Sequence, residues 1–148
     1  MVKALAPSLR ITALCERVLE EKDGALSLIR LVDRLVITAE GTDLPKELPP
    51  GLVPLTALMS WINGLGSYEA KVKVSMPNGS SIESATLPFY LDSLDKVQNH
   101  IVRMTLPVKR EGIYWFEFLL GDEVKSRVPL RVIYERKEHP KQQNEQSK

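Results

Sequence analysis

The sequence is poor in the residues that most chemistry uses. It holds one cysteine and two histidines in 148 residues. Cys15 therefore has no partner for an internal disulfide, and zinc, which takes three or four Cys, His or carboxylate ligands, is not expected from Cys15 and the distant His100 and His139. No apolar run approaches the eighteen or so residues that a membrane-spanning helix needs. Residues 1–10 lack the apolar core of a signal peptide, because Pro7 and Arg10 interrupt them early. A lone cysteine without a leader leads us to expect a reducing, cytoplasmic setting. Charge of one sign is missing too. The net charge is +1, and residues 136–148 hold four basic against two acidic side chains, so the body is slightly negative. A body without a basic stripe points away from nucleic acid and gives no pull towards anionic lipid.

What the chain does have is alternation. In residues 70–76, Ala70, Val72, Val74 and Met76 alternate with Lys71, Lys73 and Ser75. Successive side chains of a strand point to opposite faces, so this is a strand with one buried and one wet side. Asn78-Gly79 then gives a hairpin turn, since both residues tolerate positive φ. Asn78-Gly79-Ser80 also matches a glycosylation acceptor, which matters only in a secreted chain. The return runs through residues 81–91, with Pro88 marking an edge or a break in the ladder. His100, Val102, Met104, Leu106 and Val108 share one parity of a further strand. The most β-prone run is Ile113-Tyr114-Trp115-Phe116-Glu117-Phe118-Leu119-Leu120, and residues 128–134 answer it across a turn at Gly121-Asp122-Glu123. Tyr114, Phe116, Phe118 and Leu120, with Val128, Leu130, Val132 and Tyr134, form the core side of this terminal hairpin, residues 112–134.

Two stretches break the pattern. Residues 52–62 are apolar on both parities, which marks a strand that is either central and covered or part of a contact surface. The first third supports two readings. Ser8 suits a helix cap and residues 16–22 suit a helix, whereas Leu9, Ile11, Ala13 and Cys15 alternate and Lys22-Asp23-Gly24 is a turn. We favour a hairpin, with a β-bulge or a helix accounting for the phase slip between Leu26, Leu28 and Ile29, Leu31. Residues 38–51 read as a proline- and glycine-rich loop. The expected architecture is an all-β, immunoglobulin-like antiparallel β-sandwich of seven or eight strands over residues 1–135, followed by a disordered polar tail over 136–148.

The segment order carries a resemblance. Ala13-Leu14-Cys15, Gly24 to Ile29, Asp33-Arg34, the Gly112-Ile113-Tyr114-Trp115-Phe116 strand and the closing Val128-Pro129-Leu130-Arg131-Val132 strand are similar to a bacterial family of uncharacterised immunoglobulin-like β-sandwich proteins. The resemblance covers most of residues 9–134, departs from the family in the proline-rich stretch 44–50, and implies strands rather than a helix at the N-terminal end. It implies no site residue.

No catalytic or cofactor motif stands out, and no cofactor is expected. Asp92-Ser93-Leu94-Asp95 offers too few oxygens for calcium and reads as a turn. Ser60, Ser67 and Ser75 lack a nucleophile-elbow context. Gly64-Leu65-Gly66 has no following helix to make a phosphate cradle. Cys15 reads as a small buried hydrophobe and His100 as a sheet residue rather than a base. The outer parity of the terminal hairpin is more informative. Ile113, Trp115 and Leu119, with Arg131 and Ile133, lie together opposite the core side, and Trp and Arg are enriched where interfaces concentrate binding energy. Either this face meets a protein partner or a second copy, or residues 38–51 and the chain ends cover it. The expected function is a non-enzymatic interaction or assembly module. The alternative is a carbohydrate-type ligand binder using Trp61, Tyr68 or Trp115 as stacking platforms, and an enzyme built from scattered residues ranks last.

Overall fold

Strand after strand follows from side chains that need one dry face, and the computed structural model, which describes residues 4–140, contains ten of them. They are β1 (Ser8–Glu20), β2 (Leu26–Leu31), β3 (Arg34–Gly41), β4 (Gly51–Ile62), β5 (Gly66–Ser75), β6 (Ser81–Glu83), β7 (Leu87–Leu91), β8 (Gln98–Val108), β9 (Gly112–Leu120) and β10 (Glu123–Glu138). A smaller sheet has the order β2-β1-β4-β8. A larger one has the order β3-β10-β9-β5-β6, with β7 also paired to β5. The all-β class is as expected. The strand count exceeds the expected seven or eight because the return after Asn78-Gly79 divides into β6 and β7, and because β3 exists. Pro88 sits in β7 at the sheet margin, where its missing N–H costs no ladder bond.

Both sheets turn one face inward onto a shared core. Leu55, Ala57, Met59 and Trp61 of β4 meet Val72 and Val74 of β5, Tyr114, Phe116 and Phe118 of β9, and Leu130 and Val132 of β10, all buried. Each large apolar side chain sealed in this way contributes roughly 1.5–3 kcal/mol relative to exposure. Leu120, Val128 and Tyr134 pack on the rim of the same core. The core side of the terminal hairpin is therefore as its alternation implies.

The N-terminal third forms strands, not a helix. β1 and β2 pair antiparallel from Glu20 opposite Leu26 to Cys15 opposite Leu31. This pairing shows no bulge in β2, contrary to one explanation of the phase slip. Instead Leu26, Ser27, Leu28 and Ile29 are all half-buried, because both faces of β2 are partly covered. β1 pairs with β4 only as far as Cys15 opposite Thr56. Beyond that point the hairpin packs Val18, Leu26 and Leu28 with Ala13, Cys15, Leu58 and Ile101 in a second, smaller core. Leu58 and Ile101 are on the parity opposite to Met59 and His100, so this core lies on the outer face of the smaller sheet. β4 is thus central and covered, which explains its double apolarity.

Residues 38–51 are only partly a loop. Thr38 to Gly41 belong to β3, which runs parallel to β10 with Arg34 opposite Arg131 and Gly41 opposite Glu138. A parallel partner some ninety residues away leaves no local turn signature, so the glycines and prolines dominate the reading. The remaining segment closes one end of the sandwich, with Leu48 buried in the main core and Pro45 O accepting a 2.9 Å hydrogen bond from the Tyr134 hydroxyl. β10 also runs three residues past the expected boundary at 135. The His139 N–H donates to Gly41 O at 2.8 Å, and the His139 ring lies 3.0 Å from Glu40 Oε1. The rest of the expected tail, residues 141–148, lies outside the described residues.

Two glycines are fixed by close approach. A Cβ on Gly64 would stand 2.7 Å from Pro7 Cβ and 2.8 Å from a Leu91 methyl. Gly112 has φ +137° and would place its Cβ 2.9 Å from Pro77 Cγ. Gly64-Leu65-Gly66 is the β4–β5 turn, held by paired backbone bonds between Leu5 and Leu65. No helix among the described residues is long and apolar enough to cross a membrane.

Candidate interaction surface

The outer face of the larger sheet is assembled by register. Ile113 lies opposite Arg131, Trp115 opposite Pro129, and Glu117 opposite Arg127. Trp115 has Ser75 on its other side, and Glu117 has Lys73. On the far side of β10, Ile133 stands beside Val36 of β3. Ile113, Trp115 and Ile133 are half-buried, Pro129 and Arg131 are exposed, and Val36 is 48% exposed. The result is a mixed face on which Ile113, Trp115 and Pro129 adjoin, while Arg131, opposite Ile113, separates Pro129 from Ile133 and Val36 along β10. The Arg127 guanidinium carbon lies 4.3 Å from the Trp115 ring centre, and Arg127 Nε lies 3.9 Å from Glu117 Oε2. A cation over an indole face is worth about 0.5–1 kcal/mol at an exposed site.

Four of the five expected interface residues therefore share this surface. Leu119 shares their parity but is only 6% exposed, between Val124 and Lys71. The Lys71 side chain is 22% exposed and reaches Glu83 of β6 at 3.6 Å, on the side of β5 away from Leu119. Val36 and Pro129 were not among the expected residues: Val36 needs β3 to be recognised, and Pro129, though read within the closing strand, was not assigned to its outer face. Residues 42–50 do not cover this face, since Leu48 and Pro45 are engaged at the end of the sandwich.

The remaining candidates are structural. Cys15 is fully buried, its Sγ 3.7 Å from Thr56 O, and burial pushes its thiol pKa up, which disfavours the reactive thiolate. His100 is buried on the inner face, its ring edge-on to Phe89 at 5.1 Å, and burial pulls its pKa down. His100 Nε2 and Trp61 Nε1 are both buried with no hydrogen-bond partner among the described residues. The segment Asp92 to Asp95 is a turn: Ser93 Oγ donates to Asp95 Oδ1 at 2.6 Å, which holds the Asp95 carboxyl below its usual pKa. Among the described residues no three His, Cys, Asp or Glu side chains cluster as metal ligands do.

As for stacking platforms, Trp61 is fully buried and Trp115 carries Arg127 on its face. Tyr68 is half-buried, with its hydroxyl donating to Leu65 O at 2.8 Å. A broad, open depression beside it is lined by Ser67, Tyr68, Glu69, Phe89 and Tyr90. Tyr90 is 58% exposed there and was not singled out from the sequence.

Two sheets facing across one apolar core, antiparallel except for the parallel β3–β10 pair that departs from the expected antiparallel sandwich, and with no helix among the described residues, define an all-β protein of sandwich type. The chain belongs to the DUF6941 family, a family of unknown function whose model matches residues 10–133. No curated protein matches the chain.

Proposed function

We propose that this chain is a non-enzymatic protein-interaction or assembly module that docks through the face around Trp115. The observation that carries the reading is one half-buried tryptophan on the outer sheet face, with the Arg127 guanidinium over its ring and Ile113 and Pro129 beside it. Aromatic and arginine anchors surrounded by apolar neighbours are where interface energy concentrates. A second copy is the simplest partner, since a self-complementary patch closes a two-fold dimer. The mass in solution tests this. The parent is expected to exceed the monomer mass and Trp115→Glu to return to it. A parent that stays monomeric at high micromolar concentration, with no other chain bound, overturns the reading.

The sandwich is on this reading immunoglobulin-like. Immunoglobulin sheets run A-B-E and C-F-G. Taking β1, β4 and β8 as the first set and β5, β9 and β10 as the second reproduces both orders. The Tyr114 hydroxyl donates to Arg110 O at 2.8 Å, which is the placement of a tyrosine corner. Phe116 stands two residues on, where antibody domains carry their second cysteine. Bacterial origin and cytoplasmic residence belong to the same reading, supported by the family resemblance and by the unpaired thiol of Cys15.

A second reading is a carbohydrate-type ligand site in the Tyr68–Tyr90 depression. An exposed aromatic beside Ser67 and Glu69 is the combination sugar stacking uses. Tyr90→Ala abolishing binding to an oligosaccharide array would favour it over docking at Trp115.

A further inference from the structure

We propose that the cleft between the β1–β2 hairpin and the outer face of the smaller sheet binds a small carboxylate with an apolar body. The hairpin does not lie flat on the sheet along its whole length. Gly24 and Ala25 at its tip face Arg10, Ser60, Val97 and Asn99 across a cleft of about 360 Å³. Leu26, Leu28 and Leu58 supply an apolar floor continuous with the second core. With roughly 30 Å³ per water-sized group, such a space suits a molecule of on the order of ten non-hydrogen atoms.

One end of the cleft is cationic by construction. The β1–β4 pairing slips between Leu9 and Ile11, so Arg10 is the extra residue of a β-bulge. Bulges re-aim a side chain, and here Arg10 Nε donates to Ser60 Oγ at 3.2 Å. Ser60 is itself 1% exposed, so a buried neutral group holds the guanidinium in place without neutralising it. Arg10 makes no ion pair among the described residues. Three of the hairpin's carboxylates are engaged away from Arg10: Asp23 Oδ1 accepts from the Ala25 N–H at 3.0 Å, Glu21 Oε1 from Ser27 Oγ at 2.9 Å, and Glu16 Oε2 lies 3.5 Å from Arg30. The two terminal nitrogens of Arg10 remain, and their parallel N–H groups match a carboxylate.

Octanoate is the probe, with octanol as its neutral counterpart, followed by calorimetry and by methyl chemical shifts of Leu26, Leu28 and Leu58. Octanoate is expected to bind saturably, at least about tenfold tighter than octanol. Arg10→Gln should remove that difference, and Ala25→Trp, which fills the cleft from the exposed tip, should remove binding of both. Thermal unfolding of each variant checks that it is folded, and Trp115→Glu should leave octanoate binding unchanged, which separates this site from the docking face. Absence of saturable octanoate binding at low millimolar concentration overturns the proposal. So does equal binding of octanol, or binding that survives both cleft variants.

Discussion

The two sheets share one core but treat their outer faces in opposite ways. On the smaller sheet, Leu58 points outward and is sealed under the chain's own β1–β2 hairpin, with Ile101 half-buried beside it. On the larger sheet, Ile113, Trp115 and Ile133 point outward and have only half-buried status, with arginines at their border. Both faces are apolar in sequence; among the described residues one carries its own cover and the other does not. An outward apolar row is therefore not by itself a docking signal. It becomes one when no segment of the same chain lies over it.

The contrast predicts how each face fails. Leu58→Ala opens a cavity under the hairpin and should cost roughly 2–5 kcal/mol in urea unfolding, whereas Trp115→Glu should change association far more than stability. A Leu58→Ala loss below about 1 kcal/mol would mean that the hairpin is a loose flap rather than a cover.

Acid should weaken the smaller sheet through His100. Its folded pKa lies below the ordinary value near 6.5 because burial disfavours the charged ring. As pH falls through about 6.5, the unfolded chain takes up a proton that the folded chain refuses, so stability drops by up to about 1.4 kcal/mol per pH unit until the folded pKa is reached. Above that window the contribution is flat. Stability measured from pH 8 to 5 should show this slope in the parent and lose it in His100→Gln; parallel curves would assign the slope to other groups.

Two smaller changes bear on the larger sheet. Tyr114→Phe removes the hydroxyl bond to Arg110 O and should cost about 0.5–1.5 kcal/mol, which thermal unfolding can resolve. Arg127→Ala uncovers Trp115 and should cost about 0.5–1 kcal/mol or less. Acrylamide quenching reads it directly: Trp61 is sealed, so the added quenching comes from Trp115. No added quenching would place Arg127 away from the ring.

The sequence made some of this legible for a physical reason. β5 and the β9–β10 hairpin alternate because each has one dry and one wetter face, and that period survives in the letters. The double apolarity of β4 disclosed that both sides are covered, but not that β2 supplies the cover. β3 went unseen since its partner among the described residues is a parallel strand far along the chain. Leu119 shares a parity with Trp115, yet it is 6% exposed where Trp115 is half-buried, a difference that parity does not encode. The bulge at Arg10 is a property of a pairing rather than of a segment, so the cleft it helps to build left no mark in the sequence.

The parallel β3–β10 pair has a consequence in time. Arg34 joins Arg131 across about a hundred intervening residues, and a loop of that length closes late because its entropy must be surrendered before any ladder bond forms. During synthesis β3 leaves the ribosome early and waits, backbone unmatched, until β10 follows. A chain emerging at 5–20 residues per second spends several seconds in that condition. The margin of the larger sheet is thus the last part of the molecule to become safe from pairing with a neighbour.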